Sequence, residues 1–270
     1  QQIIEILRKE AVPALGCTEP VACALACAKC KEVLGGVPER LDVLVSGNIY
    51  KNGMGVGIPG TGMVGLPIAA ALGAVCGKSE YGLEVLKEVN VGDNLQRAKD
   101  MLGQVTVSLK EDAPDKLYAE ALATKGNDTV KVIIAHTHTN IVLVEKNGEE
   151  IFKREFRLDT SKPEDKGPEL SVKRIWDFVH EVDVKDIEFV LQGAEMNKAI
   201  SAEGLNSEYG LQIGKTLKEN IDKGLLEDDL LNRTLIRATA ASDARMDGCP
   251  KPVMTNSGSG NQGITVYLPV

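Results

Sequence analysis

Apolar residues recur at helical spacing over much of the chain, and helix-end signals flank several of these stretches. The clearest stretch is 18–34, with Thr18 as its expected N-cap and Gly35-Gly36 as its terminator. The same spacing predicts further helices over residues 2–10, 65–76, 90–102, 170–180, 185–203, 207–220 and 226–243.

Between these helical parts, the apolar residues alternate or form continuous runs of strand length. Residues 41–46 are one such run, and the others lie between 103 and about 157, as QVTVSLK, LYAEALAT, TVKVIIAHTHT, IVLVEK and IFKREFRL. Asn147-Gly148 separates the last two runs and is a strong hairpin signal. The 103–157 region is therefore predicted to be an antiparallel sheet.

Together these patterns predict the α+β class, as a mainly helical, discontinuous domain with an inserted antiparallel β-sheet. Residues 1–102 would form the first helical part, with one strand and a glycine-rich loop. Residues 103–157 would form the β insertion, and residues 158–270 the second helical part, ending at another glycine-rich loop. Within the last part, 158–169 is predicted to be a polar linker with two prolines.

Composition narrows the class of protein. Apolar residues make up 43% and charged residues 26%, which is ordinary for a globular protein. The net charge of −8 argues against a nucleic-acid partner, and no apolar run approaches the ~20 residues of a membrane span. Six cysteines, four of them in one predicted helical region, favour reduced thiols in the cytoplasm over a disulfide scaffold. A homodimer is left open.

The segment Gly16–Pro20 places a cysteine just before a predicted helix. The positive end of the helix dipole should lower the thiol pKa of Cys17 and favour the thiolate. Such a thiolate can act as a nucleophile, a base or a metal ligand. The alternative is a small residue in a tight turn.

Other cysteines and histidines allow both a chemical and a structural interpretation. Cys23, Cys27 and Cys30 share one helical face, and a row of small buried side chains explains them better than a metal site. His136 and His138 are two apart on a predicted strand and could bind a metal. No third ligand is evident, so a solvated sheet face is favoured.

The strongest local signal is the loop near the C-terminal end, where glycines, serines and amides are concentrated. Such a loop can present N–H groups and hydroxyls that converge on a carboxylate or phosphate, and Arg245 and Asp247 precede it. The predicted substrate-binding residues are Asn52, Asn256, Ser257, Gly258, Ser259, Gly260, Asn261 and Gln262.

A second glycine-rich stretch, 53–65, could be mistaken for a dinucleotide fingerprint. It opens no helix within a βαβ unit, so we do not interpret it as a nucleotide site. Lys51-Asn52, directly before it, is a polar pair beside a flexible backbone.

Three long motifs together resemble the L-cysteine desulfidase family, which is related to the alpha chain of iron–sulfur L-serine dehydratases. They are ALGCTEP at 14–20, KNGMGVGIPGTG at 51–62 and RMDGCPKPVMTNSGSGNQG at 245–263. The resemblance implies a [4Fe–4S] enzyme, independent of pyridoxal phosphate, that converts L-cysteine into pyruvate, ammonia and sulfide. Cys17 corresponds to the family's N-terminal functional cysteine and would be a cluster ligand.

The resemblance also implies that the chain is incomplete. Family members continue past the glycine-rich loop and carry two further functional cysteines there, so the remaining cluster ligands are expected beyond residue 270. A fragment of this kind is expected to be inactive by itself.

On this hypothesis the reaction is a β-elimination of a small amino acid. Cys17, Glu19, Lys51, Arg245 and Asp247 are candidates for catalysis, Cys17 mainly as metal ligand and the others for proton transfer or orientation. Three alternatives remain: an L-serine dehydratase type of reaction, a pyridoxal-phosphate-dependent eliminase, or a non-catalytic amino-acid-binding module. Pyridoxal phosphate is disfavoured because Lys251 lies too close to the loop and Lys51 too far from it.

Overall fold

The computed structural model of the chain describes residues 2–154 and 170–269. The expected linker at 158–169 and the end of the expected β insertion, 155–157, lie outside the described residues. The elements, in chain order, are α1 (Gln2–Glu10), β1 (Pro13–Ala14), α2 (Thr18–Leu34), β2 (Arg40–Val45), α3 (Gly47–Gly53), β3 (Gly57–Ile58), β4 (Met63–Val64), α4 (Leu66–Val75), α5 (Asn94–Met101), β5 (Val105–Leu109), β6 (Tyr118–Lys125), β7 (Asp128–Ala135), β8 (Ile141–Lys146), β9 (Glu149–Lys153), α6 (Val172–Glu181), α7 (Val184–Ile187), α8 (Leu191–Asn206), α9 (Ile213–Asp222), α10 (Leu230–Met246), β10 (Val253–Met254) and α11 (Gly260–Tyr267).

The fold is α+β, as predicted. Within the described residues, six strands form one sheet in the order β5-β2-β6-β7-β8-β9. β2 comes from the first helical part and lies inside this sheet, parallel to β5 and antiparallel to β6. The sheet is therefore mixed. The parallel pairing of β2 with β5 is possible because the segment from α3 to α5 is long enough to return the chain to the same end of the sheet.

α2 is the central helix of the larger core. It packs on β6, β7 and α4, and its buried residues cover the whole circumference of the helix, as expected for a helix enclosed on all sides. Cys23, Cys27 and Cys30 are each 0% exposed, which confirms that they are small core residues. Gly73 of α4 lies against the backbone of Ala24, so the two helices approach closely.

Local signals located several elements correctly. The helix α2 ends with Gly35 at φ 73°, and Asn147 and Gly148 join β8 to β9 with φ values of 53° and 85°. Two short helices were not predicted, α3 and α11, because both lie in glycine-rich sequence. α3 forms because Ser46 Oγ caps it by accepting the Ile49 N–H.

A smaller core lies between α8, α10 and α11 and includes Ile200, Ala244 and Ile264. Gly204 and Gly214 lie directly against the backbone of α10, which lets α8 and α9 pack closely on that helix. This second core holds α10 and α11, whose ends carry Arg245 and the glycine-rich loop.

No helix in the described part of the chain is both long enough and apolar enough to cross a membrane.

Candidate active site

A two-stranded ladder joins segments that are far apart in sequence. β1 pairs antiparallel with β10, with Pro13 opposite Met254 and Ala14 opposite Val253. Thr255 is fully buried and extends the join, since its N–H donates to Val12 O over 2.9 Å. The ladder places the turn before α2, which contains Cys17, beside the glycine-rich loop after β10.

The Glu19 carboxylate is held on both oxygens. Cys17 Sγ donates to Glu19 Oε2 over 2.8 Å, and Thr18 Oγ1 donates to the same oxygen over 3.3 Å. Asn52, in the last turn of α3, donates from Nδ2 to Glu19 Oε1 over 3.2 Å. Cys17 itself is the N-cap residue of α2, so Thr18, the expected cap, is the first helical residue.

The expectation that Cys17 is a thiolate is wrong for this arrangement. Burial, and then the Glu19 carboxylate, raise the pKa of Cys17 to about 11, and Arg245 opposes them only in part. Burial also acts to raise the pKa of Glu19, but hydrogen bonds from Cys17, its own N–H and Asn52 outweigh it, so the net pKa is lowered. The proton therefore stays on sulfur and the negative charge on Glu19.

Arg245 is a buried clamp in the last turn of α10, with 3% of its surface exposed. Its Nη2 donates to Gly16 O over 2.8 Å, and its Nη1 donates to Asn261 Oδ1 over 2.9 Å. A Cβ on Gly260 would lie 2.5 Å from Arg245 Nε, so this position requires glycine for the close approach. The guanidinium thus holds the turn before Cys17 against the start of α11.

The glycine-rich loop is a tight turn followed by a helix cap. Asn256 and Ser259 exchange two backbone hydrogen bonds, and Ser257 and Gly258 form the tip with φ values of 49° and 73°. Ser259 caps α11, since its Oγ accepts the Gln262 N–H. Several of the loop's N–H groups are therefore bonded within the loop. The N–H groups that remain for a ligand, judged on the described residues, are those of Ser257, Gly258, Gly260 and Asn261.

Two predicted residues lie apart from this cluster. Lys51 is exposed on α3, and none of the described side chains bonds to it. Asp247 is also exposed, and its carboxylate accepts the Gly210 N–H over 3.1 Å. The Gly57 Cα lies against the Asp247 backbone, so glycines of the 53–65 stretch serve close chain packing here.

His138 belongs to the cluster and was not selected from the sequence. β7 ends at Ala135, so His136 and His138 lie in the loop after the strand and do not share a sheet face. Burial lowers the pKa of His138; the charge of Glu19 acts to raise it and the charge of Arg245 to lower it further, so both charges act on the imidazole. Only the tertiary fold brings this loop to α2.

Of the residues in this cluster, His138 lines a cavity of about 360 Å³. Its walls include His138, the Ser257–Gly258 tip, and Lys9 and Glu10 at the end of α1. A volume of ~300–1,000 Å³ is usual for small-molecule sites. The cavity therefore has cationic, acidic and imidazole groups around a space suited to a small polar molecule.

The described residues do not contain a metal site of three or more grouped His, Cys, Asp or Glu side chains. All six cysteines are free and buried, and Cys17 is the one that lies in the cluster. Iron–sulfur clusters need several thiolate ligands. The described residues therefore fit one ligand position of such a cluster.

The chain is similar over its whole length to curated bacterial proteins named UPF0597 protein. It is 49% identical over 272 residues to the one from Actinobacillus pleuropneumoniae serotype 3 (strain JL03), covering 100% of this chain and 62% of the relative. The proteins of Dichelobacter nodosus and Parabacteroides distasonis are 48% and 47% identical, each match covering 100% of this chain and 63% of the relative. The chain thus spans less than two thirds of the length of these relatives. No solved structure matches it.

A family model described as serine dehydratase alpha chain matches residues 80–270. This range contains His138, Arg245 and the glycine-rich loop, which the fold brings together with Cys17 and Glu19. The resemblance that the three sequence motifs indicated is therefore confirmed, and the chain belongs to the serine dehydratase alpha chain family.

Proposed function

We propose that the enzyme containing this chain catalyses β-elimination from L-cysteine, with water consumed and pyruvate, ammonia and sulfide released. A base removes the Cα proton, the sulfur leaves from Cβ, and the resulting enamine tautomerises to an imine that water hydrolyses. The observation that supports this most is His138, which lines a cavity of about 360 Å³ together with the Ser257–Gly258 tip and is acted on by the charges of Glu19 and Arg245.

His138 is proposed as the base that removes the Cα proton. Burial lowers its pKa from the ordinary value of 6.5, which favours the neutral imidazole that can accept a proton. The Glu19 carboxylate close to it stabilises the imidazolium that forms. Glu19 is itself held by Thr18 and Asn52, so its charge stays in place during the transfer even when Cys17 has lost its proton.

The substrate carboxylate is proposed to bind at the Ser257–Gly258 tip and the start of α11. Helix N-termini and turns with positive φ values present N–H groups that suit an anion. Lys9, which also lines the cavity, adds a positive charge. Arg245 takes a different part: its Nη groups are bonded to Gly16 and Asn261, so it positions both segments.

A [4Fe–4S] cluster, which the family resemblance implies, would take Cys17 as one ligand, with further ligands from outside the described residues. When bound, such a cluster supplies a Lewis acid for the leaving sulfur. Binding requires Cys17 to lose its proton, and iron offsets the burial that raises the pKa of this thiol.

Two other functions would use some of the same residues. L-Serine dehydration needs the same base and carboxylate site with hydroxide as leaving group, and a non-catalytic amino-acid-binding module needs the carboxylate site alone. Three measurements on one iron-loaded preparation separate these functions. Sulfide release from L-cysteine supports the desulfidase, and pyruvate release from L-serine supports the dehydratase. Ligand-induced thermal stabilisation without turnover supports the binding module. A borohydride-sensitive yellow chromophore would instead indicate pyridoxal phosphate.

The test of the base is His138→Gln, with His180→Gln as the matched control on the exposed face of α6. His138→Gln should lower kcat for sulfide release about 100- to 10,000-fold, because general-base catalysis contributes that much. His180→Gln should leave kcat unchanged. An active His138→Gln enzyme with an unaltered pH profile would exclude His138 as the base.

A further inference from the structure

The backbone at His136 has an uncommon conformation next to the proposed base. His136 has φ 69°, and the Thr137 N–H donates to Ala135 O over 2.9 Å across it. These two features define a γ-turn of the positive-φ kind, which is rare and strained in L-residues. Such strain persists only where surrounding contacts over-determine the conformation.

Asp115 provides those contacts. Its Oδ2 accepts the His136 N–H over 3.0 Å and lies 2.6 Å from His136 Nδ1. Its Oδ1 accepts the Leu117 N–H over 3.2 Å, which ties the turn to the start of β6. Asn140 secures the other side, since its Nδ2 donates to Ala135 O over 3.0 Å.

The same stretch of chain also holds the second support of Glu19. Ser46 Oγ donates to Lys116 O over 2.6 Å and caps α3, the helix that carries Asn52. Asn52 donates to Glu19, and His138 approaches Glu19 from the loop that Asp115 secures. Residues 115–118 therefore anchor the elements that carry two of the groups acting on this carboxylate, Asn52 and His138.

We propose that Asp115 is a positioning residue, which holds His136 in its γ-turn and thereby sets the placement of the His138 imidazole beside Glu19 and the cavity. This inference rests on the proposed elimination, in which His138 is the base. In this proposal His136 contributes its backbone conformation, and its imidazole Nδ1 contacts Asp115 over 2.6 Å.

The test uses three variants, Asp115→Ala, His136→Gly and the double variant. Asp115→Ala removes the carboxylate that accepts the shorter bond from the His136 N–H, which keeps its longer bond of 3.3 Å to Leu117 O, so His136 should relax to negative φ and displace His138. Glycine adopts positive φ without strain, so His136→Gly should keep the turn without the imidazole, and should keep it even when the Asp115 carboxylate is also removed. The double variant should therefore behave like His136→Gly.

Two readouts are measured. In the iron-loaded enzyme, kcat of Asp115→Ala should fall about 10- to 100-fold, as a displacement near 1 Å can cause, while His136→Gly and the double variant keep most of the activity. At a fixed pH, the NMR ring resonances of His138 should move in Asp115→Ala and return in the double variant. His180 on α6 is the internal standard.

The readouts distinguish the two proposals. Unmoved His138 resonances in Asp115→Ala overturn the positioning role, whatever the activity. Moved resonances with unchanged kcat would retain the positioning role and contradict His138 as the base. A His136→Gly variant as impaired as His138→Gln would assign the chemistry to the His136 imidazole and overturn the inference.

Discussion

At the scale of single residues, the site depends on where one proton resides. Cys17 and Glu19 share a hydrogen bond of 2.8 Å, and the burial and neighbouring charge that raise the pKa of Cys17 to about 11 keep the proton on sulfur. Ligation of a metal would require that proton to leave, so metal loading and proton release are linked at this residue.

Cys17→Ser tests this linkage. Serine can still donate to Glu19, but its hydroxyl is a poor ligand for iron, so the variant should lose sulfide release and most bound iron together. Cys76→Ser is the matched control, because Cys76 Sγ donates to Leu72 O over 3.3 Å and a hydroxyl can replace that bond. Retained iron with lost activity would show that Cys17 acts on protons instead of binding metal.

Gly260→Ala tests the Arg245 clamp. The added Cβ would lie 2.5 Å from Arg245 Nε, so the guanidinium must move from Gly16 O and Asn261. Overpacking should lower the free energy of unfolding by about 1–3 kcal/mol, and loosening of the α11 start should raise KM. Gly103→Ala is the control, since nothing lies within 4 Å of its Cβ position. Equal Tm and KM in the two variants would contradict the clamp.

At the scale of elements, the ladder of β1 and β10 is too short to be stable by itself. Asn197 of α8 is fully buried and completes it: its Oδ1 accepts the Met254 N–H over 2.9 Å, and its Nδ2 donates to Met254 O over 3.4 Å. One helix side chain thus bonds both backbone groups of Met254 that face away from β1, and this contact fixes the position of the loop that follows.

Asn197→Ala should destabilise the fold by about 1–3 kcal/mol, because it leaves two buried backbone groups of Met254 without partners. Urea unfolding measures the loss, and Asn206→Ala at the exposed end of α8 is the control. Similar midpoints for the two variants would show that β10 does not depend on α8.

At the scale of the whole molecule, the larger core encloses ionisable thiols. Burial raises the pKa of Cys23 and of Cys30 to about 12, against 9.0 for an exposed thiol. Between these values the unfolded chain loses protons that the folded chain keeps. Stability is therefore present below pH 9.0 and is lost as the pH rises through about 12.

The free energy of unfolding should decrease above pH 9 by up to about 1.4 kcal/mol per pH unit for each such thiol. Urea unfolding at pH 8 to about 10.5 measures the slope. Cys30→Ala removes one titrating group, so its slope should be shallower even though its stability at pH 8 is lower. Identical slopes in the two proteins would contradict this origin.

The segments that local chemistry controls could be predicted from the sequence. The bounds of α1 and α2, the Asn147-Gly148 hairpin and the burial of Cys27 follow from spacing, caps and turn residues within a few positions. The motifs around Cys17 and the glycine-rich loop also indicated the two segments that meet at the site.

The rest depends on contacts between residues distant in sequence. The place of β2 inside the sheet, the approach of His138 to Glu19 and the clamp of Arg245 on Gly16 each join segments that no local pattern relates. The pKa of Cys17 shows the same difference: the helix start alone predicted a thiolate, whereas burial and the held carboxylate favour the thiol. Local periodicity determines which elements form, and the free energy of burying and pairing them determines which side chains meet.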